Sequence, residues 1–276
     1  MSSMQRDWID PASEAARQAL QSRLAEEAAP GEQWFALLDK AFVPPAEWQR
    51  VLGELQGCLL YEGKYAGEGV DEASPWLAPL PHAAEALPGW LDGVLRVCAG
   101  RPMLSLLQTR MPLQALRTHL QSRLEATVDA EVFVMRYADT RCLPQLWEVL
   151  HAEQRAVLAD GIAAWCYIDR DGSLQALPLQ SVAPGAVAAL PVALSSAQQQ
   201  ALQLAALPDT VMAYLRERQD VFGSLRGLPS AVHRCVQQVV QASPASPQVS
   251  ADTYREILAA LALDGLLQDE ASAADA

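Results

Sequence analysis

Residues 162–179, IAAWCYIDRDGSLQALPL, indicate the kind of fold more directly than the rest of the chain. The first part, Ile162–Ile168, is a short apolar run that is typical of a buried strand. Asp169–Gly172 follows it, and aspartate next to glycine favours the tight turn that joins two antiparallel strands. Ser173–Leu179 then provides the returning strand. The sequence therefore predicts a β-hairpin here.

The chain before this hairpin alternates between short apolar runs and amphipathic segments. The predicted strands are residues 34–38, 58–61, 74–80, 103–108 and 131–137, and the predicted helices are residues 44–56, 82–98, 111–126 and 143–150. Helices that separate short buried strands favour an α/β layer structure with a largely parallel or mixed sheet, and the hairpin makes the sheet mixed. We therefore predict the α/β class, with a mixed sheet flanked by helices.

Strand signals stop after about residue 182, and the segments beyond it have helical periodicity. These helices are predicted at residues 195–207, 208–223, 230–241 and 252–263, the last with Asp252 or the pair Thr253/Glu256 as its cap. A further helix is predicted near the N-terminus, with Asp10 as its N-cap. The predicted organisation is a helical arm at 1–30, an α/β domain at 31–182, a smaller all-helical C-terminal lobe at 190–267 and a disordered acidic tail at 268–276.

The chain is strongly acidic, with a formal net charge of -13 and a pI of about 4.7. A surface of this sign repels phosphate groups, and no run rich in lysine and arginine offsets it. We therefore expect binding neither to nucleic acid nor to anionic membranes. Hydrophobic residues make up 51% of the chain and charged residues 19%, which is typical of a globular protein.

Cysteine spacing and the absence of targeting segments indicate the compartment. The five cysteines are Cys58, Cys98, Cys142, Cys166 and Cys235, without any CxxC spacing. We interpret them as reduced and mostly buried thiols. The N-terminus lacks a basic segment followed by an apolar one, and no apolar run approaches the roughly 18 residues of a membrane span. We therefore expect a soluble cytoplasmic protein.

Sequence motifs of the common catalytic and metal sites are missing. The chain has no GxSxG, HExxH, P-loop or GxGxxG pattern. The four histidines and five cysteines are not paired at the spacing of metal ligands. These observations predict a protein that is not an enzyme and that needs neither a metal nor another cofactor.

One group of charged residues stands out at the end of the predicted strand 131–137. Arg136, Asp139 and Arg141 lie where this strand gives way to a helix. Asp139 or Thr140 can cap that helix, and Asp139 can also pair with a guanidinium group. We favour this structural interpretation. The alternative is a small-ligand site or an active site, because ligands of α/β sheets bind at the carboxyl ends of strands.

Five short segments follow one another in a recognisable order between about Trp34 and about Asp171. They are Phe35-Ala-Leu-Leu-Asp39, Ser74-Pro-Trp-Leu-Ala-Pro-Leu80, Leu104-Ser-Leu106, Leu116-Arg-Thr-His-Leu-Gln-Ser-Arg-Leu124 and Phe133-Val-Met-Arg-Tyr-Ala-Asp-Thr-Arg-Cys-Leu143. In order and spacing they resemble the domain-of-unknown-function 4123 family. The Asp-Pro-Arg of that family is Asp139-Thr140-Arg141 here, and threonine in a first helical turn can act as a cap in place of proline.

This resemblance implies a function in type VI secretion. Members of the family are encoded with type VI effectors, so it implies a chaperone or adaptor that holds a cognate effector and delivers it to the spike protein VgrG. A co-chaperone is a further candidate partner. The positions that carry the family motifs are Asp39, Arg117, His119, Arg136, Asp139 and Arg141.

An adaptor needs apolar or aromatic anchors for its partners, and the predicted helical lobe offers four candidates. They are Tyr214, Phe222, Tyr254 and Leu258. For any one of these side chains, packing in the core is the commoner role. An immunity-type inhibitor is another alternative to the adaptor, because an acidic cytosolic protein is suited to neutralise a basic toxin.

Overall fold

The chain forms three sheets and a set of helices in a computed structural model that describes residues 8–26, 29–52, 56–81, 85–179, 190–243, 246 and 248–268. In chain order, its strands are β1 Gln33–Asp39, β2 Cys58–Leu59, β3 Pro75–Pro79, β4 Leu104–Thr109, β5 Glu125–Val128, β6 Glu131–Val134, β7 Ile162–Ile168, β8 Leu174–Ala176, β9 Val192–Ala193, β10 Ser224–Leu225 and β11 Leu267–Gln268.

The helices lie between and after these strands. They are α1 Glu14–Ala25, α2 Pro45–Leu52, α3 Val70–Ala73, α4 Leu87–Cys98, α5 Leu113–Gln121, α6 Cys142–Val149, α7 Ala152–Leu158, α8 Ser196–Glu217, α9 Gln219–Phe222, α10 Pro229–Ala242 and α11 Ala251–Leu263. A short 3-10 helix, Lys40–Phe42, follows β1.

The largest sheet has the strand order β2-β3-β1-β4-β7-β8, and every neighbouring pair in it is antiparallel. A second sheet, which we call the small sheet, has the order β6-β5-β9, in which β5 pairs antiparallel with β6 and parallel with β9. The predicted α/β class is confirmed, and the predicted hairpin is the pair β7–β8. The largest sheet is nevertheless not parallel, because the long connections between its strands can return the chain in either direction.

Both faces of the largest sheet are covered, which follows from the alternation of side chains along a strand. In β1, Phe35 and Leu37 belong to one hydrophobic core, together with side chains of α5, α6 and α7. Ala36 and Leu38 point the other way, into a second core that includes side chains of α1, α2 and α4. The continuous apolar sequence of β1 is therefore explained by burial on two sides.

The predicted helix 111–126 is shorter in the structure, because part of it pairs as a strand. Helix α5 ends at Gln121, and β5 begins four residues later. A two-residue turn, Asp129 and Ala130 with φ of 48° and 70°, connects β5 to β6. The predicted strand 131–137 accordingly ends at Val134 and belongs to the small sheet. The cross-strand pairing between these two strands outweighs the helical periodicity of the sequence.

The C-terminal lobe is helical, as predicted, but two details differ. The predicted helix 195–207 and most of the predicted helix 208–223 form one long helix, α8, which ends at Glu217 and is followed by the short α9, because Pro208 is buried within α8 and does not end it. The cap of α11 is Ser250, whose Oγ accepts a hydrogen bond from the N–H of Thr253 at 3.1 Å, and neither Asp252 nor the Thr253/Glu256 pair is the cap. Helices α8, α10 and α11 share one hydrophobic core.

The predicted tail 268–276 is described only at Gln268, which pairs with Ser224 in the short β10–β11 ladder. The remainder of the tail lies outside the described residues. His82, the predicted first residue of a helix, lies outside them too, and α4 begins at Leu87.

The segment before α1 links the largest sheet to the helical lobe. The sequence predicts Asp10 as the N-cap of α1, but Ser13 is the cap, and its Oγ accepts from the N–H of Ala16 at 3.0 Å. The buried carboxylate of Asp10 instead accepts from the N–H and Oγ of Ser230, at 2.9 and 2.6 Å, at the start of α10. The prediction was wrong because the Asp10 carboxylate binds the first turn of α10, a helix that is distant in the sequence.

The β7–β8 turn holds the same N-terminal segment from the other side. The N–H of Asp10 donates to the carbonyl of Arg170, and the N–H of Ser13 donates to the carbonyl of Gly172, both at 2.9 Å. Gly172 has a φ of 73°, and a Cβ at this position would overlap the carbonyl oxygen of Pro11. The turn therefore requires glycine both for its backbone angle and for the close approach of the N-terminal segment.

We expect Gly172→Ala to weaken the contact between the N-terminal segment and the β7–β8 turn. The loss of stability should exceed the cost of backbone strain alone. Gly265→Ala is the matched control, because Gly265 has a φ of 68° and open space around its Cα. The control should lower the free energy of unfolding by about 1–2 kcal/mol. Gly172→Ala should cost at least about 2 kcal/mol more, because the N-terminal segment must move. Urea unfolding of both variants checks this, and equal losses would contradict it.

Candidate functional site

A series of charged side chains runs from the end of β1 to helix α8. We call it the ion-pair network, and its members are Asp39, Arg136, Asp139, Arg141, Arg170 and Asp209. Asp39 ends β1, whereas Arg136, Asp139 and Arg141 lie in the connection from β6 to α6. The last two come from the β7–β8 turn and from α8. The network therefore joins the largest sheet, the connection after the small sheet and the helical lobe.

Asp139 is the most buried member of the network, with 0% of its surface exposed. Its Oδ1 accepts from the backbone N–H and the Nε of Arg141, at 3.0 and 3.1 Å, and its Oδ2 accepts from Nη2 of Arg141 at 2.8 Å. Nη2 of Arg136 lies 3.4 Å from Oδ2 of Asp139 and 3.1 Å from Oδ2 of Asp39. The Asp139 carboxylate is thus enclosed by guanidinium groups and fixes the backbone at the start of α6.

Asp209 extends the network to the helical lobe. Nη1 and Nη2 of Arg170 donate to its two carboxylate oxygens at 2.9 and 2.8 Å, which is the parallel arrangement that makes such pairs strong. Nη1 of Arg141 lies 3.6 Å from Oδ1 of Asp209. Through these contacts, α8 is attached to the loop that carries Arg141 and to the β7–β8 turn.

Aromatic rings cover the guanidinium group of Arg141. Its centre lies 4.6 Å from the ring centroid of Trp8 and 5.3 Å from that of Phe42. The guanidinium of Arg216, from α8, lies 4.7 Å from the same Trp8 ring. Cation–π contacts of this kind shield the charges from water and add the N-terminal segment to the junction.

Burial and charge act in opposite directions on the network. Burial raises the pKa of Asp39 despite the nearby Arg136. Burial would also raise the pKa of Asp209, but Arg170 and Arg141 outweigh it, and this pKa lies below its ordinary value of 3.8. With three guanidinium and three carboxylate groups, the network has no formal net charge. Its polar groups are therefore balanced against each other within the protein.

Two of the family-motif residues lie outside the ion-pair network. Nη2 of Arg117 donates to the carbonyl oxygen and to Oε2 of Glu62, at 2.9 and 3.0 Å. Nε2 of His119 lies 3.2 Å from the carbonyl oxygen of Leu158, and burial together with Arg123 lowers the pKa of His119 to about 4. The six motif positions therefore do not converge on one site.

A polar cavity of about 350 Å³ lies beside the network, between α6, the β7–β8 turn and α10. Arg141 and Arg170 line it, but their guanidinium groups already bind carboxylates of the network. His233 is buried at its wall, and its Nε2 has no hydrogen-bond partner among the described residues. Burial, with Arg170 and Arg141 close by, lowers the pKa of His233 to about 4. The histidine is therefore neutral at physiological pH.

The aromatic residues predicted as partner anchors come together on the helical lobe. The ring centroid of Tyr214 lies 5.6 Å from that of Phe222 and 5.4 Å from that of Tyr254. Leu258 follows Tyr254 by one helical turn and packs against the same core. Tyr214 is 39% exposed, and Val221, which precedes Phe222 in the chain, is 55% exposed. We call these five residues the aromatic surface.

Sequence reasoning missed several residues of this region: Trp8, Arg170, Asp209 and His233. The sequence places Arg170 only in a turn and Asp209 only near the start of a helix. No local signal pairs them, because their contact depends on how the helical lobe packs on the sheet. The presence of Pro208 next to Asp209 even favoured a break in the helix at this point.

Metal binding and membrane insertion were both predicted to be absent. No group of three or more histidine, cysteine, aspartate or glutamate side chains that could hold a metal ion occurs among the described residues. Within the same part of the chain, none of the helices has the length and apolar character needed to cross a membrane. The five cysteines are free, and Cys98, Cys166 and Cys235 are buried.

One protein-family model matches the part of the chain that contains the motif residues. The model of the family described as Domain of unknown function (DUF4123) matches residues 34–157, from β1 into α7. This match confirms the predicted resemblance. It includes the network residues up to Arg141 but neither Arg170 nor Asp209. No match was found among the curated proteins or among the solved structures.

We expect Asp139→Asn to destabilise the fold strongly. The substitution keeps the shape of the side chain but leaves the buried guanidinium of Arg141 without its closest carboxylate, which typically costs about 3–5 kcal/mol. Asp220→Asn is the control, because Asp220 forms an exposed pair with Arg218 at 3.5 Å and should cost below about 1 kcal/mol. Urea unfolding measures both losses. Similar values for the two variants would show that the network contributes no more than a surface ion pair.

We also expect the protein to become less stable as the pH is lowered, because of His119 and His233. The unfolded chain protonates each histidine below about pH 6.5, whereas the folded chain does so only near pH 4. Between these values the unfolded state binds more protons, so stability decreases as pH falls, by up to about 1.4 kcal/mol per pH unit for each histidine. Denaturant unfolding at several pH values measures how the free energy of unfolding changes with pH. Between about pH 4 and 6.5 this change should be smaller in His233→Gln than in the wild type. An unchanged slope in a His119→Gln/His233→Gln double variant would contradict this.

Proposed function

Taking residues 34–157 as a DUF4123 domain, we propose that this protein is a cytoplasmic, non-catalytic adaptor for type VI secretion. It binds a cognate effector and loads it onto the VgrG spike protein. The observation that carries the proposal is the family match, because members of that family are encoded with type VI effectors. A co-chaperone that joins the complex is compatible with this function.

The ion-pair network supports a structural use of the family-motif charges. Arg141 binds Asp139 with three hydrogen bonds, and Arg170 binds Asp209 with two. A general acid or base must reach a substrate, whereas the Asp139 carboxylate is fully buried. These contacts indicate that the network residues act as a scaffold that positions three parts of the chain. They do not favour a catalytic centre at the same residues.

The aromatic surface supports partner binding by the helical lobe. Interface hot spots are enriched in tyrosine and other aromatic side chains that stand on a rigid support. Tyr214 meets this description, because it is exposed while neighbouring side chains of α8, α10 and α11 form a packed core, and Val221 adds an exposed apolar side chain. We propose that this surface contacts the effector or the spike.

The charge of the chain supports the choice of partner. A protein with a net charge of -13 attracts basic protein surfaces and repels nucleic acid and anionic lipid. An effector or spike with a basic patch is therefore the partner class that we propose. Attraction of this kind acts mainly on the association rate and weakens with added salt.

Co-purification with the effector and the VgrG encoded beside this gene tests the proposal. The wild-type protein should bind both. Tyr214→Ala/Val221→Lys should weaken binding of one of them at least tenfold, because it removes an aromatic anchor and places a charge in the interface. Leu263→Lys is the matched control, since Leu263 is 87% exposed on the same lobe and lies outside the aromatic surface.

Two outcomes would overturn the adaptor function. One is that neither the effector nor the spike binds the wild-type protein. The other is that the protein alone protects cells from the toxin without contacting the spike, which would indicate an immunity-type inhibitor. A variant that binds as well as the wild type would remove only the aromatic surface from the proposal.

A further inference from the structure

Strand β6 forms an open edge of the small sheet. In the strand order β6-β5-β9, β6 pairs with β5 on one side, and no other strand of the described residues lies on its other side. A strand in this position presents unpaired backbone groups along its outer edge. Such an edge can accept a further strand from a partner.

The hairpin register shows which residues carry the outward backbone groups. Val128 and Glu131 close the two-residue turn, and such a pair exchanges hydrogen bonds across the hairpin. The same pattern continues at the other end, where the N–H of Met135 donates to the carbonyl of Leu124 at 2.7 Å. Residues 131, 133 and 135 therefore face β5. The N–H and C=O groups of Val132 and Val134 point away from it.

The side chains of these two valines are exposed as well. Val132 is 60% exposed and Val134 is 46% exposed, whereas Phe133, between them, packs against the core. Edge strands of soluble proteins are usually protected by lysine, proline or a bulge. The sequence Glu131-Val-Phe-Val134 contains neither lysine nor proline, and its pairing with β5 is regular. At Val132 and Val134 the edge is thus open to a further strand.

The surroundings of this edge are acidic. Asp129 and Glu131 lie at the turn and are exposed, and Glu125 lies opposite Val134 on β5. Two cations lie near this edge, but Lys64 is already paired with Glu125, at 3.0 Å, and Arg136 with Asp39, at 3.1 Å. A second copy of the chain would bring the same acidic groups and a further charge of -13 to the edge. Charge complementarity therefore favours a basic partner segment over self-association.

We propose that β6 binds an extended segment of the effector by adding it as an outer strand of the small sheet. The segment has β-branched or other apolar residues at alternating positions, which contact Val132 and Val134. It has lysine or arginine at the end that lies beside the β5–β6 turn, where they pair with Asp129 and Glu131. Backbone hydrogen bonds to the two valines provide affinity, and the alternating side chains provide selectivity. The identity of the partner rests on the proposed adaptor function, whereas the binding mode does not.

Two binding partners allow the identity of the partner and the binding mode to be tested independently. The first is the co-expressed effector, and the second is a synthetic peptide of alternating valine and threonine that carries two lysines at each end. The same peptide with glutamates in place of the lysines is the charge control. We expect the lysine peptide to bind the full-length protein at least tenfold more tightly than the glutamate peptide.

Val134→Pro tests the backbone edge. Proline removes an outward N–H that has no role in the pairing with β5, which is the position where edge strands tolerate it. Affinity for the lysine peptide should fall at least tenfold in this variant. Val132→Lys should weaken binding similarly through its charge, while Leu263→Lys, the exposed control on the helical lobe, should keep the wild-type affinity within about twofold.

Hydrogen exchange of the wild-type protein tests the binding mode without any variant. The amides of Val132 and Val134 should exchange fast in the free protein and become protected with the lysine peptide or the effector bound. An effector complex that leaves both amides unprotected would overturn the proposal, as would equal binding of the two peptides. Self-association of the free chain that Val134→Pro abolishes would assign the edge to a second copy and overturn it too. If no effector complex forms but the peptide protects both amides, only the adaptor function fails.

Discussion

The burial of the Asp139 carboxylate is the constraint on which the junction of this protein depends. A fully buried carboxylate needs a closely bound cation, and Arg141 provides one with three hydrogen bonds. The same guanidinium lies against the Trp8 ring and near Asp209. One side chain therefore fixes the positions of the N-terminal segment, the loop before α6 and helix α8. A buried ion pair of this kind disfavours any arrangement that separates its two charges, because each charge would then be buried without a partner.

The four inner strands of the largest sheet, β3, β1, β4 and β7, could be predicted from the sequence because each is a short, largely apolar run that is buried along most of its length. The prediction for Ile162–Ile168 agrees with β7 at both ends, and the prediction for β1 differs by one residue at each end. Predictions fail where a distant part of the chain decides the local structure. The segment after Gln121 keeps a helical pattern, but its pairing with β6 makes it a strand. Pro208 suggests a helix break, yet the packing of α8 keeps the helix continuous around it.

The candidate site could be predicted only in part, for a related reason. The proximity of Arg136, Asp139 and Arg141 follows from their spacing in the sequence. Their relation to Asp209 and Trp8 depends on contacts between segments that are far apart along the chain, and no local pattern encodes these contacts. The family match has the same boundary, since it ends at residue 157. The matched segment thus contains four of the six network residues, and the rest of the chain supplies Arg170 and Asp209.

The network also bears on how β6 can bind a partner. The strand is followed by Met135 and Tyr137, both buried, and the hydroxyl of Tyr137 donates to the carbonyl of Leu120 at 2.8 Å. Asp139, two residues further, is held by the ion pairs. The chain that leaves the edge strand is therefore anchored at every second residue, as far as the start of α6. Binding to a strand that is already ordered costs less conformational entropy than binding to a loose segment, which must first become ordered. The buried ion pairs therefore favour partner binding at β6, although they do not contact the partner themselves.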